Sequence, residues 1–243
     1  MPLAMKIGQG CLPTIKTIRW NPRHNRGGME LWCAYGVDIT DSGSPSFLVS
    51  QWRDQGPNNN HLAQTALLER PINTPHGTLS FDPTRGDNLD FTSQITLSGD
   101  FMIGMVLTVN ELGLSDGYTI LADNSTSNEW MKIITDNTMK LKIDGAICNL
   151  SLDAGNSFES LFSVIITRES SVISLWFNGV LQNDTETLAG TSDIDNFGVR
   201  KTDVNPFDGS VNEILIYSYY DEKFVKGVRK YLEFIRAKVK ETL

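Results

Sequence analysis

The chain has 243 residues with 40% hydrophobic side chains and five tryptophans, enough for one sizeable core. Its formal net charge is −8, an acidic balance that excludes nonspecific nucleic-acid binding as the main role. The three cysteines, Cys11, Cys33 and Cys148, are odd in number and far apart, so neither a zinc site nor a disulfide framework is predicted.

Residues 1–29 read as an extended arm, punctuated by Gly8, Gly10, Pro13, Pro22 and Gly27-Gly28, with one short strand at 14–20 and Trp20 as an anchor onto the body. The arm carries Lys6, Lys16, Arg19, Arg23 and Arg26. Two readings stay open: a solvated terminus, or a partner-binding arm that holds an acidic neighbour such as a second copy of the chain. MPLAMKIGQGC lacks the apolar core of a signal peptide and no run reaches membrane-spanning length. The expectation is a soluble protein made in a cytoplasm, without a membrane or nucleic-acid partner.

From residue 30 to 220, short apolar runs alternate with turn clusters, the pattern of an all-β protein. MELWCAYG is a strand, DITDSGSPS a polar loop and FLVSQW a second strand. SQWRDQGPNNNHLAQ follows, where Gly56-Pro57 and three asparagines forbid regular structure. Residues 77–82 and 89–91 give short strands around PTRGD. DFMIGMVLTVNE is the most apolar strand and belongs at the centre. TILAD, WMKIIT and MKLKID come next, and Asp144-Gly145 and Asn178-Gly179 suit two-residue hairpin turns. LFSVIITR, VISLWF, VLQ and FDGSVNEILIYSY complete the strands. Several show apolar residues at both parities, as a strand covered on both faces requires. In residues 221–243, Phe224, Val228, Tyr231, Ile235 and Val239 recur at helical steps. Asp221 and Glu222 at the start and basic residues toward the end complement the helix dipole. One amphipathic helix packed on the sandwich is predicted.

Three segments, ELWCAYGVDI with SQWRDQGPNNNHLAQ, then SLWFNGVLQ, then FDGSVNEILIYSYYDEKFVKGVRKYLEFI, together resemble the laminin G-like domains of the concanavalin A-like lectin/glucanase superfamily over about residues 30–236. The resemblance implies a jelly-roll β-sandwich, a fold that hosts lectins, glycosidases and structural modules alike. In such domains Trp52 would pack inward, and Asp54, Asn58, Asn59 and Asn60 would brace their own loop. The competing reading makes a ligand rim of Trp52, Asp54, Asn58, Asn59 and His61, with Tyr118 and Trp130 stacking on sugar faces. Members of the family also bind calcium through loop carboxylates. Here Asp82, Asp87, Asn88 and Asp90, or Asp123 and Asn124, would supply them, although the spacing is not that of an EF-hand loop and turn formation explains the same residues. No other cofactor is implied.

Catalytic patterns are not indicated. Glycoside hydrolysis needs two nearby carboxylates, and the glucanase Glu-x-Asp-x-(x)-Glu pattern does not occur. Asp208 and Glu213 stand at odd spacing, on opposite faces of a regular strand. None of His24, His61 and His76 lies near a G-x-S-x-G turn, and no Gly-rich phosphate loop precedes a helix. The sequence therefore predicts a non-enzymatic module for assembly, docked by its arm like capsid-decorating or tail-fibre proteins of a virion. A carbohydrate-binding adhesion domain is the alternative, and a glycoside hydrolase with a nonstandard acid pair the third reading.

Overall fold

The computed structural model describes residues 20–112, 117–126, 130–200 and 205–242, excluding the side chain of Trp130. Lys6, Lys16 and Arg19, and all of the strand predicted at 14–20 except Trp20, lie outside the described residues.

Seventeen strands are present among the described residues. The first eight are β1 (Met29–Cys33), β2 (Ile39–Asp41), β3 (Val49–Trp52), β4 (Leu62–Ala63), β5 (Ile72–Asn73), β6 (Leu79–Phe81), β7 (Leu89–Leu97) and β8 (Phe101–Val109). Then come β9 (Tyr118–Ala122), β10 (Trp130–Ile133), β11 (Thr138–Ile143), β12 (Ala146–Ser151), β13 (Phe162–Glu169) and β14 (Val172–Phe177). The last are β15 (Val180–Thr187), β16 (Ser192–Phe197) and β17 (Gly209–Tyr217), followed by one helix, α1 (Glu222–Lys240).

The strands form two antiparallel sheets packed face to face. The first runs β15-β14-β13-β8-β17-β6-β5, and β1 also pairs with β17. Gly209–Val211 of β17 pairs with β6, whereas Ile214–Tyr217 pairs with β1, so two short strands share one edge of a long one. The second sheet runs β12-β11-β10-β9-β16-β7-β4-β3-β2.

The period-2 alternation of β8 explains its sequence. Phe101, Ile103, Met105, Leu107 and Val109 face the core between the sheets, while Met102 and Val106 face the helix. Both faces are thus buried, as the apolar residues at both parities predict. Helix α1 lays Val225, Val228, Leu232, Ile235 and Val239 on that outer face. Full burial of each such side chain contributes about 1.5–3 kcal/mol before entropy. Gly104 makes the approach close: a Cβ there would sit 2.9 Å from Leu232 Cδ1 and 3.4 Å from Val228 Cγ1. Asp221 caps the helix, its carboxylate accepting from Phe224 N at 2.9 Å.

Both predicted hairpin turns form, with positive φ at Asp144 (48°) and Gly145 (80°) and at Asn178 (48°) and Gly179 (76°). Three predictions need correction. The polar loop at 38–46 contains edge strand β2, too short for an alternation signal but held to β3 by Ile39↔Trp52 and Thr40↔Gln51. Strand β7, expected to end at 91, runs to Leu97 because β16 pairs along it from Leu89 to Leu97. Likewise β15 continues past VLQ to Thr187, carried by β14.

Candidate functional site

The loop 53–61 is stitched to itself and to its neighbours. Asp54 is its hub: Oδ1 accepts from Trp32 N at 2.8 Å and Gly56 N at 2.7 Å, and Oδ2 accepts from Asn60 N at 3.0 Å. Asp54 N in turn donates to His61 Nδ1 at 3.1 Å. Asn60 Oδ1 accepts from Ser93 N at 2.9 Å, and Asn58 Nδ2 donates to Glu30 Oε2 at 2.8 Å. Asn59 takes the left-handed backbone, φ 55°. Trp52 is wholly buried, its indole N–H donating to Ala34 O at 3.1 Å. Tyr118 is also buried. Neither ring is open to a ligand, so the rim reading fails for both; Trp130 sits in β10, its side chain outside the described residues.

The expected calcium ligands do not converge. Asp82 caps a short 3-10 turn, accepting from Thr84 N (2.8 Å) and Thr84 Oγ1 (2.7 Å), and these bonds hold its carboxyl below the usual value. Asp87 is buried; Oδ2 accepts from Asp82 N at 3.0 Å, Oδ1 faces Arg85 at 3.0 Å, and burial pushes its pKa up to about 6. Asn88 Oδ1 is taken by Gln64 Nε2 at 2.8 Å. Asp90 accepts from Asn196 Nδ2 at 2.8 Å, Asp123 from Ser125, and Asn124 N donates to Asp195. Among the described residues no cluster of three or more His, Cys, Asp or Glu side chains is placed to hold a metal ion.

Asp208 and Glu213 are not a pair. Asp208 accepts from Asn110 Nδ2 at 2.8 Å near the start of β17. A bulge between Val211 and Glu213 then turns Glu213 under the helix, where it is completely buried. Its Oε1 accepts from Trp32 Nε1 (2.6 Å) and Tyr231 Oη (2.8 Å), and its Oε2 accepts from Tyr35 N (2.7 Å). Burial outweighs these bonds and raises its pKa to about 7.

At the root of the arm, Trp20 packs edge-on to Phe224 (5.4 Å between centroids) and tilted on Tyr231 (5.8 Å). Arg23 lies 5.9 Å from the Trp32 ring, and Arg26 lines a shallow groove of about 510 Å³ with His24, Tyr219 and Phe224.

The feature that sequence reasoning missed is a second groove, about 710 Å³, at the side of the sandwich where edge strand β2 meets the β5–β6 turn. Its lining includes Asp38, Asp41, Phe47, Asn73, Thr74 and His76. The two loops that frame it touch at Gly36 and Gly77: a Cβ on Gly77 would come within 2.5 Å of Gly36 Cα. Phe47 is 39% exposed and held at φ 47°, a costly backbone for a bulky residue. Its own main chain fixes it there, N donating to Gly43 O and O accepting from Asn73 N, both 2.9 Å. Asn73 Nδ2 donates to Asp41 Oδ2 at 2.7 Å, while Asn73 Oδ1 is buried without a partner among the described residues. Asp41 Oδ1 accepts from Gly43 N at 2.8 Å, and Asp38 Oδ2 from Gln55 Nε2 at 2.8 Å. The sequence places Phe47 at the start of the strand FLVSQW, whereas β3 begins at Val49 and Phe47 ends the turn-rich DSGSPSF outside it.

No protein-family model and no curated protein sequence matches the chain. Solved structures share its fold. The receptor-binding domain of botulinum neurotoxin type G superposes with TM-score 0.57 at 13% identity, over 86% of this chain and 51% of that one. Trypanosoma rangeli sialidase gives 0.53 at 11% identity, over 86% of this chain and 33% of that one. Domain 4 of a GH43 extracellular arabinanase from Geobacillus stearothermophilus, solved in complex with arabinotriose, gives 0.50 at 11% identity, over 84% of this chain and 99% of that one. The chain thus spans about half of the neurotoxin domain and a third of the sialidase, and nearly all of the arabinanase domain. By its two antiparallel sheets and these likenesses, the chain is an all-β jelly-roll sandwich.

Proposed function

We propose that the chain is a non-enzymatic carbohydrate-binding module that takes its ligand in the groove beside Phe47. One observation carries this reading: an exposed aromatic ring, held at positive φ, stands among hydrogen-bonding side chains in an open groove. Sugar rings stack an apolar face on such a ring while their hydroxyls meet polar groups around it. The arabinanase domain, which aligns over nearly its whole length and was solved with arabinotriose, supports the same class of ligand. The separation of roles between Asp208 and a sealed Glu213 supports a module without hydrolytic chemistry.

The test is a glycan array followed by calorimetry on the hits, with Phe47→Gly as the probe. Glycine accepts φ 47° freely, which offsets the loss of the half-covered ring, so this variant should fold with little change in Tm and lose binding. A variant that keeps full affinity, or a wild type that binds no glycan at millimolar concentration, overturns the proposal.

A second reading, an assembly module docked by its arm as in a virion, has the seating of Trp20 on α1 behind it, which gives the arm a fixed base. Deleting residues 1–19 should then leave a folded body that no longer joins its assembly; normal incorporation of that body removes the reading.

A further inference from the structure

The lining of this groove is unbalanced in a way that names the kind of sugar. This inference rests on the carbohydrate reading above. Among the described residues Asp38 and Asp41 are its formal charges, and no described lysine or arginine lines it. Its polar atoms are mostly acceptors with capacity to spare. Asp38 Oδ2 takes one bond from Gln55, and Asp38 Oδ1 takes none among the described residues. Each Asp41 oxygen takes a single bond, from Gly43 N or Asn73 Nδ2. Asn73 Oδ1 is buried and has no donor among the described residues. A carboxylate oxygen can accept two bonds, so several lone pairs are open. Beside them stands the exposed Phe47 ring, whose negative face attracts a cation.

We infer that the groove selects an amino sugar, its protonated amine set between the Asp38 and Asp41 carboxylates and its ring stacked on Phe47. An ammonium has three donors and no acceptor, the complement of this lining. A uronate, a sialic acid or a sulfated sugar brings acceptors and like charge to the same place, and both are disfavoured there. N-acetylation removes the charge and leaves one donor. A single charge pair near 4 Å is worth about fivefold in affinity in water, and more where the ligand displaces solvent.

Calorimetric titration with three trisaccharides separates the ideas: glucosamine, N-acetylglucosamine and galacturonic acid trimers, at about 0.01 M and about 0.5 M salt, where the screening length falls from about 30 Å to about 4 Å. The glucosamine trimer should bind about five- to tenfold tighter than the N-acetyl trimer, the galacturonate trimer weakest, and high salt should shrink the difference. Asp38→Asn with Asp41→Asn should erase the preference while leaving the N-acetyl trimer's affinity in place. Where that double variant is poorly folded, Asp38→Asn alone, which keeps the bonds of Asp41, should halve the preference or better. Equal affinity for the amine and its acetylated form, or a preference that survives both variants, overturns the inference while the carbohydrate reading stands. Failure of all three trimers and of every glycan on the array removes the underlying reading instead.

Discussion

Glu213 makes the stability of the fold depend on pH in a direction opposite to most carboxylates. It has no solvent exposure, and three donors, Tyr35 N–H, the Trp32 indole and the Tyr231 hydroxyl, favour its charge without matching what water would supply. Burial therefore wins, and its pKa rises from 4.5 to about 7. A raised acid binds its proton more tightly when folded. The contribution of Glu213 to stability is therefore greatest below pH 4.5 and is lost as pH climbs through about 7. At 1.36 kcal/mol per unit, the full change is about 3 kcal/mol. For a domain of this size that is a fall in Tm of roughly 6–12 °C between pH 4.5 and 8. Asp87, raised to about 6, adds the same sign at the acidic end, so the wild-type profile alone does not isolate Glu213. Scanning calorimetry of wild type and Glu213→Gln at pH 5, 6, 7 and 8 does. The glutamine cannot titrate, and its amide must face one of the three donors, which costs the same at every pH. The difference in Tm between the two proteins should therefore narrow or reverse as pH rises. Parallel profiles over that range would refute the reasoning.

Three further outcomes follow from single contacts. Asp54→Ala strands the N–H groups of Trp32, Gly56 and Asn60 and should cost about 3 kcal/mol, read from urea midpoints, with proteolytic nicking between residues 53 and 61. Gly227→Ala puts a Cβ 2.3 Å from Trp20 Cδ1; the indole should leave its place on Phe224 and Tyr231, with a shifted tryptophan emission and a loss of about 1–3 kcal/mol. Ser170 and Ser171 both hold positive φ, 49° and 70°, in the β13–β14 hairpin; replacing them with Asn-Gly should stabilise the protein by about 1 kcal/mol in thermal melts.

What could be read from the sequence was what repeats locally. The two-sided burial of β8 is written in FMIGMVLTV, the helix in its three- and four-residue steps, and two hairpins in Asp-Gly and Asn-Gly. The Ser170-Ser171 turn escaped because neither residue advertises positive φ; the register Glu169↔Val172 imposes it. Strands β2, β4 and β5 have two or three residues each, too few to alternate, and exist because longer neighbours offer them an edge. Glu213 was legible only as a charge inside an apolar run, at an edge or in the interior alike. Its partners were not, since Trp32 and Tyr231 come from distant segments that meet only when α1 closes over β1 and β17. The groove is a case of the same kind: residues 36–47 belong to one sheet edge and residues 73–77 to the other.

The two polar rims of this sandwich differ in how their hydrogen bonds close, and that difference separates scaffold from site. In the loop 53–61 the Asp54 carboxylate meets three N–H groups, Asn60 reaches the β7 backbone, and Trp52 is sealed beneath. Such a network has little left to offer a ligand, and loss of any member falls on the fold. Around Phe47 the account stays open: an aromatic ring faces water on a backbone that resists it, and Asp38 Oδ1 and Asn73 Oδ1 have no donor among the described residues. A strained, under-satisfied rim is unfavourable for folding alone and becomes favourable when a donor-rich, flat partner arrives. Substitutions should sort accordingly. Those in the Asp54 network should lower Tm and spare intrinsic affinity, whereas Phe47→Gly should leave Tm nearly unchanged and abolish binding, two separate readouts from loops that looked equally polar in the sequence.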